Sequence, residues 1–190
     1  MNIRHVFGRV TAIVATVTGL ATLGLTGAAS AGTARVAAPA FATTVQICTI
    51  QSFDGHYLTA IGGGGRGAFS IATDRTSPST WENFTLLRTS FGGGWAIRTS
   101  NGDFLSAIDG GGRTTDVIES NRTQVSTWES FGLVPLPSLG PGFYAITTFN
   151  GHYLTAVNSG GIAQADQAIH SNATQIGTWE EFYLSCHLEF

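Results

Sequence analysis

The sequence predicts an all-β domain with threefold internal symmetry, on three observations. Two short motifs recur three times in register, turn signals punctuate every copy, and charge is scarce. Charged residues make up 11% of the 190 residues while 25 are glycine, which suits short strands joined by tight turns rather than solvated helices. Asp54-Gly55-His56-Tyr57-Leu58-Thr59-Ala60 recurs as Asn101-Gly102-Asp103-Phe104-Leu105-Ser106-Ala107 and as Asn150-Gly151-His152-Tyr153-Leu154-Thr155-Ala156. Downstream, Thr80-Trp81-Glu82-Asn83-Phe84 recurs as Thr127-Trp128-Glu129-Ser130-Phe131 and as Thr178-Trp179-Glu180-Glu181-Phe182. The motif glycines lie 47 and 49 residues apart, and the hairpin aromatic precedes the tryptophan by 24, 24 and 26 residues. The repeats span about 45–90, 91–138 and 139–190.

Each copy reads as four strands. In the second, Trp95-Ala96-Ile97-Arg98-Thr99 alternates in the strand manner, with Trp95 and Ile97 on one face. Asn101-Gly102 marks a tight turn, and Phe104-Leu105-Ser106-Ala107 starts the partner strand. The run Asp109-Gly110-Gly111-Gly112, like Gly62 to Gly65 in the first copy, reads as a turn needing positive φ. A third strand is expected near Thr115-Asp116-Val117-Ile118 and a fourth from Trp128 to Val134. One such unit cannot bury its own apolar face, so three must share a core. Propellers typically use at least four blades. Three four-stranded copies instead fit a β-trefoil: a closed six-stranded barrel, two strands per repeat, capped by three hairpins. Closure removes sheet edges, which suits a chain with little charge to deter aggregation. The expected repeat core is Tyr57, Phe104 and Tyr153 from the hairpins, with Trp81, Trp128, Trp179, Phe84, Phe131 and Phe182 from the closing motif.

The N-terminus reads as an address. Arg4 and Arg9 form a basic start, the stretch from Val10 to Leu25 is apolar, and Ala29-Ser30-Ala31 supplies a small-residue cleavage pattern, so residues 1–31 are expected to be a secretory signal peptide. Ala40-Phe41-Ala42 offers a second match, which leaves the cleavage point open. Threonines and Gly19 dilute the apolar stretch, and no later run approaches the ~20 residues of a membrane helix. An Ala/Thr-rich linker covers 32–44 and the trefoil 45–190. The mature chain is therefore expected outside the cell, free of membrane, as a monomer. It keeps seven arginines against twelve acids, a balance of −5, and has no lysine. A nucleic-acid partner is excluded on this charge, since duplex binding needs several cations on one face.

The two cysteines test the closed barrel. Repeat alignment puts Cys48 at the head of the first barrel strand, level with Trp95 and Tyr144, and Cys186 ends the last. First and last strands are neighbours in a closed trefoil. Cys48 shares parity with Ile50, and Cys186 with Phe182 and Leu184, so both thiols are expected to face inward and pair. An exported protein permits the bond; two buried free thiols are the alternative.

The hairpin motif, the glycine-rich turn and the closing W-E-x-F strand resemble the fascin-like (actin-crosslinking-type) β-trefoil family over about Val45 to Phe190. The Q-x-W that closes ricin-type lectin repeats is absent: Ser79-Thr80, Ser126-Thr127 and Gly177-Thr178 precede the tryptophans. The repeat is also similar to modules appended to bacterial secreted glycoside hydrolases, with Asn121-Arg122 and Trp128 matching their N-R-x(4-5)-W-E-x-F stretch. Asp74-Arg75 and Asn172-Ala173 match it less closely. Fascin-like trefoils of animal cells bundle cytosolic actin with several domains in tandem. A single exported domain without lysine departs from that pattern, and fold alone does not carry function.

No catalytic set is evident. Glycoside hydrolysis needs two carboxyls flanking one bond, whereas Glu82, Glu129 and Glu180 recur one per repeat. Their recurrence points to bonding the backbone where each fourth strand begins. No G-x-S-x-G is present, His170 and His187 lack evident partners, and scattered histidines do not make a metal site. The glycine runs lack the ending of a phosphate loop. No enzyme activity, cofactor or metal is expected. Asn83, Asn121 and Asn172 open N-glycosylation patterns, two of which coincide with the repeat itself.

The expected function is non-catalytic binding of a polysaccharide or other glycan. Sugars are held by planar amides, carboxylates and arginine with an aromatic face beneath the ring. The candidates are Asp74 and Arg75, Asn121 and Arg122, and Asn172 without an arginine, with His56, Asp103 and His152 at the hairpin tips. The tryptophans are either platforms or core, and their threefold recurrence favours core. The alternative is a protein-interaction module, as in actin-binding or protease-inhibitor trefoils.

Overall fold

The computed structural model describes residues 45–188; the expected signal peptide and linker lie outside the described residues. The described residues form twelve strands, four to each repeat. The first repeat holds β1 (Gln46–Ser52), β2 (Tyr57–Ala60), β3 (Ile71–Arg75) and β4 (Asn83–Arg88). The second holds β5 (Trp95–Arg98), β6 (Phe104–Ala107), β7 (Ile118–Arg122) and β8 (Gly132–Pro135). The third holds β9 (Phe143–Thr147), β10 (Tyr153–Ala156), β11 (Ile169–Ala173) and β12 (Phe182–Leu188).

Antiparallel pairing closes a ring of the first and fourth strands of each repeat. β1 pairs with β4, β4 with β5, β8 with β9, β9 with β12, and β12 with β1. A bridge between Trp95 and Phe131 joins β5 to β8 and completes the ring. The remaining strands form hairpins β2–β3, β6–β7 and β10–β11, and each slips register just after its aromatic residue. This is the predicted β-trefoil. Among the described residues, no helix is long and apolar enough to cross a membrane.

Alternation along the barrel strands sets the core. Phe84, Phe131 and Phe182 are each 0% exposed and stand at equivalent places, joined by Ile50, Ile97 and Ile146. Fully burying one such side chain contributes about 1.5–3 kcal/mol. The hairpins add Leu58, Leu105 and Leu154 and the alanines Ala60, Ala107 and Ala156.

Four expectations need correction. Tyr57, Phe104 and Tyr153 are only half-buried, because the pleat turns the following leucine into the core instead. Trp81, Trp128 and Trp179 are not core at all, being 41%, 38% and 44% exposed. They stand in the turn before the fourth strand, which in the second repeat starts at Gly132 rather than Trp128. The third strand of that repeat starts at Ile118, where the expected segment ended.

The repeats lock together cyclically. Gly65 donates its N–H to the Ser120 carbonyl at 2.6 Å, Gly112 to that of Ser171 at 2.7 Å, and Gly161 to that of Thr73 at 2.7 Å. Each glycine turn thereby ties into the third strand of the adjoining repeat. Cys48 faces Cys186 across the β1–β12 ladder, and the two form a disulfide. Directly opposite residues of a ladder share a face, so the two thiols pair as expected, with Cys48 buried and Cys186 exposed towards the end of β12.

Candidate functional site

The site is built on the turn that carries the tryptophan. In the first repeat the Ser79 N–H donates to Glu82 Oε2 at 2.6 Å and the Ser79 hydroxyl at 2.8 Å. Ser126 repeats both bonds to Glu129, and the Gly177 N–H repeats the first to Glu180 at 2.8 Å. The other carboxylate oxygen reaches inward: Thr59 donates to Glu82 at 2.8 Å and Thr155 to Glu180 at 2.7 Å. The three glutamates are buried, so each holds its turn from within, the backbone-bonding task expected of them. With the glutamate inside, the neighbouring tryptophan is turned to solvent.

Glu129 shows the electrostatic consequence. Burial pushes its carboxyl up. The nearby Ser106 hydroxyl, with hydrogen bonds from the Ser126 hydroxyl and N–H and from its own N–H, outweighs that and holds it below the ordinary 4.5. Ser106 Oγ, in the place of Thr59 and Thr155, acts on it without meeting strict hydrogen-bond geometry. A carboxyl kept ionised and bonded on several sides is a poor proton donor. It serves as a strut.

The hairpin registers place the other candidates. Tyr57 pairs with Arg75, Phe104 with Arg122, and Tyr153 with Ala173. In the second repeat, Asn121, Arg122, Gln124, Ser126 and Trp128 line an open groove of about 430 Å³. The structure thus brings the expected Asn121 and Arg122 together with a half-exposed indole. Asp74 and Arg75, and Asn172, occupy the equivalent places in the other repeats.

The three copies differ in how the cation is held. Glu119 forms an ion pair with Arg122 and fixes its guanidinium beside the groove. The equivalent of Glu119 is Ala72 in the first repeat, where, among the described residues, Arg75 has only its neighbour Asp74 at 4.0 Å. In the third repeat the pair is replaced by His170 and Ala173. The third copy therefore lacks the cation altogether.

His56, Asp103 and His152 do not join these grooves. They are half-buried against the glycine turns of adjoining repeats. A Cβ built on Gly161 would meet the His56 ring at 3.5 Å, one on Gly112 the His152 ring at 3.5 Å, and one on Gly65 the Asp103 carboxylate at 3.6 Å. Both histidine Nδ1 atoms are enclosed. These residues pack repeat against repeat.

The exposed tryptophans and the Glu119 lock were missed at the sequence level. A signal existed for the first: Ser79-x-x-Glu82 and Ser126-x-x-Glu129 have capping-box spacing, which commits the glutamate to the turn interior. Nothing in the spacing marks Glu119, three residues before Arg122.

No protein-family model matches the chain, and no curated protein matches it. Among solved structures it is similar to ThreeFoil, a designed threefold-symmetric protein, with TM-score 0.59, 14% identity, and coverage of 73% of this chain and 96% of that one. SeviL bound to asialo-GM1 saccharide aligns with TM-score 0.55 and 12% identity over 75% of this chain and 98% of that one. An exo-β-1,3-galactanase of Clostridium thermocellum aligns with TM-score 0.58 and 16% identity over 75% of this chain and 30% of the enzyme. At these identities the likeness shows the shared trefoil fold.

Proposed function

We propose that the protein is a secreted, non-catalytic carbohydrate-binding module that recognises a polysaccharide through the tryptophan grooves. The observation that carries this reading is the second-repeat groove, where the exposed Trp128 shares a wall with Asn121 and Arg122. An indole face stacks on the apolar face of a sugar ring, while the amide and the fixed guanidinium bond its hydroxyls. The saccharide held by SeviL, a neighbour in fold, supports glycan binding in general. The repeat's resemblance to fascin-like modules of bacterial glycoside hydrolases supports an extracellular, polymer-directed role.

Threefold recurrence gives up to three sites on one rigid body. On a polymer, each engaged site raises the effective concentration for the next, so weak single sites add up to firm retention. The second repeat, with its locked arginine, is the strongest; the third, with Ala173, the weakest.

The test is a pull-down on insoluble β-glucan, xylan, chitin and cellulose with the mature chain and its Trp128→Ala and Arg122→Ala variants. Retention on one polymer that falls in both variants supports the reading. Retention on none, with capture by F-actin or a protease instead, overturns it in favour of a protein-interaction module.

A further inference from the structure

At the junction of the first and second repeats the threefold pattern breaks beside a cleft. Thr80, Asn83 and Thr85 from one side and Arg98 and Ser100 from the other line a space of about 290 Å³. It shares no residue with the tryptophan groove. The positions related to Arg98 by the repeat hold Gln51 and Thr147, and those related to Ser100 hold Phe53 and Phe149. Those phenylalanines are 46% and 50% exposed. At the other two junctions a phenyl ring therefore stands where this one carries only a hydroxymethyl group.

The chemistry diverges in the same direction. Asn83 and Thr85 correspond to Glu181 and Tyr183 in the third repeat, a carboxylate and a phenol. Here the lining holds one cation and no acid. Arg98 donates its Nε–H to the Gly102 carbonyl at 2.9 Å, and among the described residues its two terminal nitrogens make no hydrogen bond. It enters none of the ion pairs found among the described residues. Like Arg66 and Arg88, it is tied to a backbone carbonyl rather than to an acid, but of the three only Arg98 lines this cleft.

We infer that this cleft is a second carbohydrate site, selective for a sugar bearing an anionic group, either carboxylate or sulfate. The planar guanidinium presents paired N–H donors to such an oxyanion. The hydroxyls of Thr80, Thr85 and Ser100 and the amide of Asn83 supply both donors and acceptors for the sugar hydroxyls around it. The site is independent of the tryptophan groove, and either can fail without the other.

The test is a ¹⁵N–¹H NMR titration of the full chain with D-galacturonate, D-galactose 6-sulfate and neutral D-galactose. At least one anionic sugar shifts the Arg98 Nε–H and the Ser100 and Gly102 amides saturably, and which one responds assigns carboxylate or sulfate. Arg98→Gln, which installs the residue of the first repeat, weakens that binding about tenfold, as loss of a charged hydrogen bond requires. Ser100→Phe abolishes the shifts while the spectrum stays folded, because the fold already carries phenylalanine at the two related places. The Trp128 indole N–H reports the tryptophan groove separately in the same spectra. The inference is overturned if neutral galactose produces the same shifts with the same affinity. It is equally overturned if neither anionic sugar moves these signals or if Arg98→Gln binds like the parent.

Discussion

Gly111 of the second repeat lies so close to Thr148 of the third that a Cβ there would sit 2.2 Å from the threonine Oγ1. The same approach recurs between Gly64 and Thr99 at 2.3 Å and between Gly160 and Ser52 at 2.6 Å. The three repeats are thus held by three copies of one tight contact between a glycine backbone and a hydroxyl side chain. Gly111→Ala is expected to destabilise the fold by about 2–4 kcal/mol, through both the clash and its φ of +103°. Gly92→Ala, with nothing within 4 Å of the new Cβ, is expected to cost less. Equal losses in thermal unfolding would contradict the interlocking.

One tie in this cycle is missing. Asn101 Nδ2 donates to the Gly62 carbonyl at 3.0 Å and Asn150 Nδ2 to the Asp109 carbonyl at 2.8 Å. The equivalent residue in the first repeat is Asp54, whose carboxylate cannot donate. Asp54→Asn is expected to form the third bond to the Asn158 carbonyl and to stabilise the protein by about 0.5–1.5 kcal/mol. Urea unfolding of the variant measures it, and a lowered midpoint would refute the equivalence.

Glu129 predicts a pH dependence. Its folded-state pKa lies below its unfolded one, so the stability it contributes is full above about 4.5 and is lost as pH falls through the folded value. Glu129→Gln is expected to be less stable than the parent by about 1–2 kcal/mol near pH 7. The gap should narrow on acidification to about pH 3. A gap that stays constant with pH would show that ionisation plays no part.

The Cys48–Cys186 bond closes a loop with a sequence separation of 138. In the chain-entropy model such a loop contributes up to about 5 kcal/mol. The double variant Cys48→Ala, Cys186→Ala is expected to remain folded but to unfold at clearly lower denaturant, by about 2–4 kcal/mol. An unchanged midpoint would mean that the barrel needs no such closure.

Much of this was legible in the residues themselves. Two motifs in threefold register gave the repeat number, and the number of copies selected the barrel. The role of Glu82, Glu129 and Glu180 followed from their recurrence. The tryptophans were misplaced because recurrence marks a shared environment without saying whether it is core or surface. Hydrophobicity then favoured the inside, while the turn had already assigned the inside to the neighbouring glutamate. His56, Asp103 and His152 read as hairpin tips, since their packing depends on glycine turns 105, 38 and 40 residues away in the adjoining repeat, a contact no local pattern records. Arg98 and Ser100 carry no local signal, because only superposing the repeats shows phenylalanine at the two places related to Ser100.

The most direct test of sugar recognition by the exposed tryptophans is a depletion-binding comparison of Trp81→Ala, Trp128→Ala and Trp179→Ala on whichever polysaccharide retains the parent protein. Loss is expected to be largest for Trp128→Ala, smaller for Trp81→Ala and least for Trp179→Ala, with thermal stability little changed because each indole is partly exposed. Three variants that bind like the parent would show that the tryptophan grooves are not where the ligand sits.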